Sequence, residues 1–506
     1  MVILERGETM AGIGVKLNRI FEKKSVFANL VGFTYSTIAT VAPMLLVIGN
    51  IMLMGWILGL NKAAYLTREV FFCTVLYTFI FALLTAAPFN AVLSKYMQDA
   101  IFEERYQDIL PCYYLGLVFN IVLSCLVGIP FCLWEHFVGG VSVFYVFTGF
   151  CGYICLVLVF YSMIYLSICK DYQKISLFFM LGMVITFILS LVLRFILEWE
   201  VTISILFALM VGFFFIATME FATTKRYFVK NSSRYLPVLK YFGRWWQLVV
   251  CNFLYILGMY IHNFVFWTTD MRIVVVKSFV CNQPYDMATC IAMFTNISAT
   301  VIFVARVEMH FHDKYKAYSE AVIGGKKADI ENTKRRMFRA IASELMSLVR
   351  IQFIISVVVY LLCIVLLPQY GMGGMVMRIY PCMAAGYFIL FLMYAAILFL
   401  YYYNDLTGAV LTTLSFCGVT FLGSVFAAYN LSEIWYGLGV LLGAFAGWTV
   451  AYMRLRWVEK NLDRNIFCKW MLLKRGKGKM PSGLVYQKDD GTQNKKRTAK
   501  KNTRTA

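Results

Sequence analysis

The chain has 506 residues, of which 61% are hydrophobic and only 15% are charged, and its 47 basic against 27 acidic residues give a net charge of +20. An ordinary soluble domain is roughly 45–50% apolar and about 25% charged. The mean hydropathy of +0.71 therefore excludes a soluble enzyme, a disordered chain and a secreted disulfide scaffold. The composition predicts an all-α polytopic membrane protein.

Twelve apolar stretches are long enough to cross a bilayer, for which about 20 residues are needed. They are too long, and alternate too little, for barrel strands. The first stretch is far longer than the apolar core of a signal peptide, so we expect a retained span that follows a start at Met1 or Met10. The predicted spans are 29–59, 70–93, 111–133, 143–166, 175–197, 201–222, 244–267, 288–306, 347–368, 380–402, 407–428 and 433–453.

Lysine and arginine are distributed very unevenly between the two sides of this arrangement. With an N-terminus inside, 41 of the 47 basic residues lie in cytoplasmic segments and 6 in outer ones. Cytoplasmic loops carry such an excess in membrane proteins. We therefore expect both termini (N-in and C-in) on the cytoplasmic side of the membrane.

The basic tail, residues 456–506, accounts for most of the net charge and ends in KKRTAKKNTRTA. A segment so polar is predicted to be disordered. Attraction to anionic lipids is the favoured interpretation of its charge, ahead of binding to a partner protein or the substrate. Nucleic acid ranks last, because no nucleic-acid-reading module accompanies the charge.

The spans divide into two sets of six. A cytoplasmic N-terminus (1–28) precedes a first half (29–222), and a cytoplasmic linker (223–243) leads to a second half (244–455). An even number of spans returns the chain to its starting side, so the two six-helix lobes run parallel, which is a recurring transporter architecture.

A second long cytoplasmic connection, 307–340, interrupts the second half. Its apolar residues recur at helical spacing until Gly324 and Gly325, and a second amphipathic helix is predicted from about Asp329. Interfacial packing is the simplest role for this helical extension; a gate lever or a docking platform are the alternatives.

Polar residues inside a bilayer are functional candidates, because burying a polar group in the hydrocarbon core costs free energy. Pro43 kinks a hydroxyl-rich first span and Asn50 follows it by two turns, which suits either gating or a purely structural bend. Asn90 is a candidate near the end of the second span, or an interfacial cap. Arg194, with Glu198 one turn on, is more typical of a snorkelling anchor than of a site. His262 lies deeper, either as a titrating group or as a packing residue.

No cofactor and no metal site are predicted. The fourteen cysteines form no C-x-x-C pair, and Cys151 and Cys155 share a helix face without a histidine or carboxylate nearby, so the thiols are interpreted as small buried hydrophobes. The chain has no phosphate-binding loop of the Walker type. Its longest outer loop, 268–287, offers Asp270 and Asp286 without a neighbouring histidine, so we expect a protein that is not an enzyme.

Several segments resemble one transporter family, the PelG family of Pel exopolysaccharide systems. They are MAGIGVKLNRIF, SKYMQDAIFEE, LYILGMYIHNFVFW, QPYDMATCIAMFTNISATVIFVARVEMHFHDKYKAY, AVIGGKKADIENTKRRM and YYYNDLTGAVL, and they extend over nearly the whole chain. The resemblance implies the fold of the MATE and MOP flippase superfamily, with twelve helices in two lobes.

The resemblance also implies a function: export of a hexosamine-rich polysaccharide across the cytoplasmic membrane. Implied partners are a cytoplasmic glycosyltransferase (PelF-like) and membrane subunits (PelD- and PelE-like). Tyr285, Asp286 and Glu308 match the family blocks and are candidates for the substrate path or gating; an ion pair of Glu308 with Arg306 is the structural alternative. An ion-coupled antiporter or a flippase of lipid-linked oligosaccharide is the alternative function.

Overall fold

The computed structural model describes Pro43, residues 45–169 and 171–296, most of 314–324, and residues 325–370 and 373–464. The chain forms two compact units, Met1–Arg456 and Trp457–Ala506. The first unit contains the predicted spans. The second begins within the last described helix, which ends at Arg464.

The first half consists of six helices in the described residues, five of them long. They are α1 (Leu45–Ile57), α2 (Tyr65–Phe102), α3 (Ile109–Phe137), α4 (Val143–Ile168), α5 (Tyr172–Phe195) and α6 (Val201–Tyr227).

The linker and the second half contain one hairpin and seven further helices whose bounds the structure describes, besides helical residues within 314–324. They are α7 (Leu236–Arg244), α8 (Trp246–Phe266), β1 (Ile273–Val275), β2 (Phe279–Cys281), α9 (Gln283–Asn296), α10 (Lys327–Leu366), α11 (Met375–Tyr402), α12 (Leu406–Asn430) and α13 (Leu438–Arg464).

Ten described helices are long and apolar enough to cross a membrane, and each coincides with a predicted span. The all-α membrane fold is thereby confirmed. Helices α1 and α9 are the described portions of the first and eighth predicted spans, whose remaining residues lie outside the described part of the chain.

Three boundaries differ from the prediction. The linker 223–243 is partly helical, because α6 continues to Tyr227 and α7 begins at Leu236. The surface helix predicted from Asp329 and the ninth span are one helix, α10, since nothing between them breaks the backbone hydrogen-bonding. The tail predicted from 456 is helical to Arg464. In each case the helix continues past the membrane edge that the hydropathy marks.

The connection 268–287, which was predicted as an outer loop, contains an antiparallel hairpin, although no strand was predicted. β1 and β2 pair Ile273 with Cys281 and Val275 with Phe279. Val276 and Lys277 in the turn have positive φ angles of 44° and 60°. Such a backbone is strained for a β-branched valine, so the turn is held by its surroundings rather than by local preference. We call the side of the molecule that carries this hairpin the hairpin side.

The opposite face carries the linker, and we call it the linker side. Tyr227 donates a hydrogen bond to Asp171, which also forms a 2.8 Å ion pair with Lys174. Although burial acts to raise it, these bonds hold the pKa of Asp171 below its usual range. Ser232 of the linker donates to Asp108 over 2.6 Å. These contacts fix the linker against the first half.

Helices α2 and α8 form a seam that joins the two halves along their length. Near the hairpin side, the rings of Phe81 and Phe264 stack at 6.1 Å. Towards the linker side, Asn252 donates its amide to the Ala87 carbonyl over 2.6 Å. At the linker end, the Lys95 ammonium lies 4.6 Å from the Trp245 ring centroid, a cation–π contact.

Helices α12 and α13 approach closely through glycines spaced four residues apart. A methyl group added at Gly439 would collide with Ser424, one at Gly443 with Thr420, and one at Gly447 with Met393 of α11. Glycines at this spacing allow the backbones of membrane helices to pack closely. The glycine stripe thus fixes α13 against the second half.

Candidate substrate and gating site

The site is built from two pairs of residues, on α8 and at its C-cap Trp267, that face two adjacent residues on α9. His262 and Phe266 are four residues apart and share one helix face, as do Asn263 and Trp267. The first pair contacts Tyr285 and the second contacts Asp286. Adjacent residues on α9 therefore contact neighbouring faces of α8.

Asn282 starts α9 and orients both of these residues. Its side-chain oxygen accepts the Tyr285 backbone N–H at 3.4 Å, and its own N–H donates to Asp286 Oδ2 at 3.1 Å. This reciprocal arrangement satisfies donors at a helix start. The predicted outer loop is thus shorter than expected, because α9 begins at Gln283. Tyr285 and Asp286 lie in the first turn of this helix.

The Asp286 carboxylate is buried, with 7% of the residue exposed. It accepts hydrogen bonds from the Asn263 amide at 2.7 Å and from the Trp267 indole N–H at 3.1 Å. No lysine or arginine forms an ion pair with it among the described residues. Neutral donors therefore take the place of a counterion.

Next to the carboxylate, Asn263 Oδ1 and Asn282 Nδ2 are buried and have no hydrogen-bond partner within the described structure. A buried polar atom without a partner costs about 1–3 kcal/mol. An acceptor and a donor are thus free beside Asp286, and a hydroxyl group can satisfy either.

His262 is fully buried and lies between two tyrosines. Its Nδ1 is 2.9 Å from the Tyr285 hydroxyl and its Nε2 is 3.4 Å from the Tyr387 hydroxyl on α11. The Tyr387 hydroxyl donates a hydrogen bond to the Met259 carbonyl at 3.3 Å. A tyrosine hydroxyl therefore lies beside each ring nitrogen of His262.

Aromatic rings connect this cluster to the hairpin and to the first half. Phe266 stacks on Tyr285 with centroids 3.9 Å apart, and Trp267 stacks on Tyr77 of α2 at 5.0 Å. The Tyr77 hydroxyl donates to the Val280 carbonyl at 2.7 Å and accepts the Val280 N–H at 3.1 Å. One tyrosine of the first half thereby contacts both the hairpin and an Asp286 ligand.

Two thiols lie at the same contact. Cys73 Sγ of α2 is 3.5 Å from Cys281 Sγ of β2, and both residues are buried. Together with Tyr77 they dock the hairpin on α2, so the two halves are closed to one another here.

The remaining predicted residues lie elsewhere. Asn50 donates to the Met183 carbonyl of α5 at 3.1 Å, and Pro43 is helical and half-buried. Asn90 is half-buried, and its Oδ1 has no partner in the described residues. Arg194 donates to the Trp199 carbonyl at 2.9 Å and forms no described ion pair with Glu198. Glu308 lies outside the described residues, as does its predicted pairing with Arg306.

The structure thus brings together His262, Tyr285 and Asp286, which the sequence nominated separately. Sequence reasoning missed Asn263, Trp267, Tyr387 and Tyr77. The first two had a usable signal, because Asn263 and Trp267 share a helix face within the segment that contains His262. Tyr387 and Tyr77 come from distant helices, and no local pattern distinguishes them from other aromatic residues.

Among the described residues, no group of three histidine, cysteine, aspartate or glutamate side chains is placed to hold a metal ion. The described cysteines are free thiols, and most are buried or half-buried.

Comparison with known proteins shows one family. The model of PelG, described as an exopolysaccharide exporter (EPS-E), matches residues 10–467. No curated protein matches the sequence.

Solved structures of transporters share the fold. An inward-facing multidrug resistance MATE family transporter of the MOP superfamily is 12% identical, with a TM-score of 0.56 over 84% of this chain and 96% of that one. The outward-facing conformation of such a transporter is also 12% identical, with a TM-score of 0.58 over 85% and 96%. A MOP superfamily transporter from Pyrococcus furiosus is 14% identical, with a TM-score of 0.56 over 85% and 96%.

Proposed function

The chain belongs to the PelG family of exopolysaccharide exporters and has the fold of MATE and MOP transporters, and from this premise we propose that it exports a hexosamine-rich, Pel-type polysaccharide across the bacterial cytoplasmic membrane. The observation that carries the proposal is the family match over residues 10–467. The buried cluster around Asp286 supports it, because aromatic rings and free polar atoms occur together there.

In this proposal the linker side faces the cytoplasm and the hairpin side faces outward. The uneven distribution of lysine and arginine supports this orientation, since 41 of the 47 basic residues then lie inside. Both termini are cytoplasmic, and the polymer enters from the linker side.

Substrate hydroxyl groups then compete for the partners of Asp286. Asn263 Oδ1 and Asn282 Nδ2 are free to bind a hydroxyl. A hydroxyl that bonds to the carboxylate displaces the Trp267 indole, because both donate to the same oxygens. Trp267 stacks on Tyr77, which holds the hairpin, so substrate binding loosens the outer contact between the halves.

The partners in this proposal are a PelF-like cytoplasmic glycosyltransferase and PelD- and PelE-like membrane subunits. The chain carries no nucleotide-binding loop of the Walker type. Polymer synthesis at the linker side therefore supplies the driving force for export. The basic tail adds attraction to anionic lipids. No chemical step is assigned to the chain itself.

Removal of this protein from a producing cell tests the proposal. We expect surface polymer to be lost while glycosyltransferase activity in extracts is retained, and the intact gene supplied in trans to restore the polymer. Unchanged surface polymer in the deletion strain would refute export by this chain. Gradient-driven efflux of small cations from vesicles that contain only this protein would instead support the antiporter alternative.

A further inference from the structure

A separate cavity of about 230 Å³ lies in the first half, between α2, α3 and α4, and β2 of the hairpin contributes one ring to it. Aromatic side chains dominate its lining, among them Phe81, Phe131, Tyr145, Phe150 and Phe279. Tyr77 of α2 also lines the cavity and stacks on Trp267, so the cavity adjoins the Asp286 cluster. Asp286, Asn263 and Asn282, which are assigned above to binding the polymer, do not line it.

One carboxyl group lines this cavity. Glu135, near the end of α3, is only 4% exposed, and its Oε1 is buried with no hydrogen-bond partner in the described structure. No lysine, arginine or histidine lines the cavity. The described lining therefore offers Glu135 no positive partner, and a buried carboxylate is strongly unfavourable without a cation or several donors.

The three tyrosines and Thr74 of the lining already have hydrogen-bond partners. The Tyr145 hydroxyl donates to Thr74 Oγ1 at 3.2 Å, and Thr74 in turn donates to the Val70 carbonyl at 2.7 Å. The Tyr153 hydroxyl is 2.6 Å from Thr85 Oγ1. The tyrosines therefore present ring faces and edges to the cavity rather than free hydroxyls.

We propose that this cavity binds a compact organic ammonium ion, with Glu135 as its counterion and the surrounding rings as cation–π partners. The faces of aromatic rings attract ammonium groups, most strongly where water is excluded. The lone carboxylate repels phosphate and other anions. A sugar is disfavoured, because each hydroxyl left without a partner costs about 1–3 kcal/mol and the lining has few free polar groups.

Equilibrium binding to the purified full-length protein in detergent tests the site. The probe is phenyltrimethylammonium, and its uncharged counterpart of the same shape is tert-butylbenzene. We expect saturable binding of the cation, and binding of the neutral compound weaker by about tenfold or more, because the ion pair and the cation–π contacts are absent. Glucosamine at the same concentration is expected not to bind.

Glu135→Gln keeps the size of the side chain and removes the charge, so it is expected to weaken cation binding by about tenfold or more. Glu198→Gln is the matched control, because Glu198 is exposed at the end of α5 and does not line the cavity. Phe150→Leu supplies a second variant that retains Glu135 and removes one ring; we expect several-fold weaker binding.

The proposal is overturned if the neutral compound binds as tightly as the cation, if Glu135→Gln binds the cation as the native protein does, or if glucosamine displaces it. Should Glu135→Gln fail to fold, the comparison of cation with neutral compound and the Phe150→Leu variant decide the question. Loss of polymer export in cells has no bearing on this binding, so failure here leaves the proposed function standing.

Discussion

Asp286 shows how a charge is kept inside a membrane protein without a cation. The Asn263 amide, the Trp267 indole and the Asn282 backbone N–H all donate to its two oxygens. Hydrogen bonds to an ionised group contribute about 1.5–3 kcal/mol each. The carboxylate thus brings together two side chains and one backbone N–H.

Asp286→Asn is expected to abolish or strongly reduce polymer export. The amide has one acceptor oxygen where the carboxylate has two, and its NH₂ group faces donors, which costs about 1–3 kcal/mol and misplaces Trp267. Surface polymer in cells that produce the variant is the measurement. Asp270→Asn, an exposed change in the loop that precedes α9, serves as the control; export equal in both variants contradicts a role for the carboxylate.

Sequence reasoning at the residue scale found the chemistry but not the contacts. Tyr285 and Asp286 were nominated by the family resemblance and His262 as a polar residue inside a span, and the structure brings the three together. Asn50 and Arg194 met the same criterion, yet they bond to the backbone carbonyls of Met183 and Trp199. Whether a polar side chain faces another side chain or a free carbonyl depends on helix rotation, which the hydropathy pattern leaves undetermined.

Among the described elements, the hairpin helps to join the two halves on the outer face in our orientation. Its edge is fixed by a single hydroxyl, since Tyr77 pairs with both the N–H and the carbonyl of Val280. The hairpin is also held by Phe279, whose ring lies 5.1 Å from that of Tyr77.

Tyr77→Phe removes that hydroxyl and keeps the stacked ring, so we expect the hairpin to detach more often. Two backbone groups lose a buried partner, at about 1–3 kcal/mol each. Backbone amide exchange at 279–281 is expected to rise by roughly tenfold or more. Tyr65→Phe, at an exposed tyrosine on the same helix, is the control; equal exchange in both variants argues against the docking contact.

The glycine stripe gives a second test at the scale of an element. Gly443→Ala places a methyl group against Thr420 Oγ1 and is expected to lower the melting temperature in detergent, with a cost of about 1–3 kcal/mol from overpacking. Gly418→Ala on α12 meets nothing within 4 Å and is the matched control. A melting temperature unchanged by Gly443→Ala excludes close packing there.

At this scale hydropathy predicted the spans well, because the hydrocarbon core imposes a minimum length on every crossing helix. It missed the hairpin, since β1 and β2 have three residues each and depend on contacts with α2 rather than on a local period. It also placed a boundary inside α10, because polarity changes at the membrane surface while the helix does not end there.

For the whole molecule, the pair of thiols at Cys73 and Cys281 offers a direct way to hold the halves together. The azo oxidant diamide takes two electrons and two protons from the thiols, and it becomes a hydrazine as the sulfur–sulfur bond forms. We expect this bond to stop export and dithiothreitol to restore it, because a covalent link prevents the hairpin from leaving α2. Surface polymer and a mass-spectrometric search for the linked peptides are the measurements.

Cys73→Ser is the control for that experiment, since it cannot form the bond and is expected to export polymer in the presence of diamide. Full export by the linked native protein contradicts any need for the hairpin to move. The thiols were interpreted from the sequence as buried hydrophobes, and their burial agrees with this. That two of them lie 3.5 Å apart, from residues far separated in the chain, is information that only the fold supplies.

The seam between α2 and α8 has a consequence for how mutations combine. Contacts such as Tyr77–Trp267 lie at one end and contacts such as Lys95–Trp245 at the other, so a transporter that opens one end at a time breaks them in opposite phases of its cycle. Contacts at one end stabilise one state of the transporter, and contacts at the other end stabilise the other state. Losing about 1 kcal/mol at either end therefore changes the equilibrium constant between the two states roughly fivefold, in opposite directions. A loss at the hairpin end is therefore offset by a loss at the linker end: Lys95→Ala is expected to restore export to Tyr77→Phe, although each change alone reduces it.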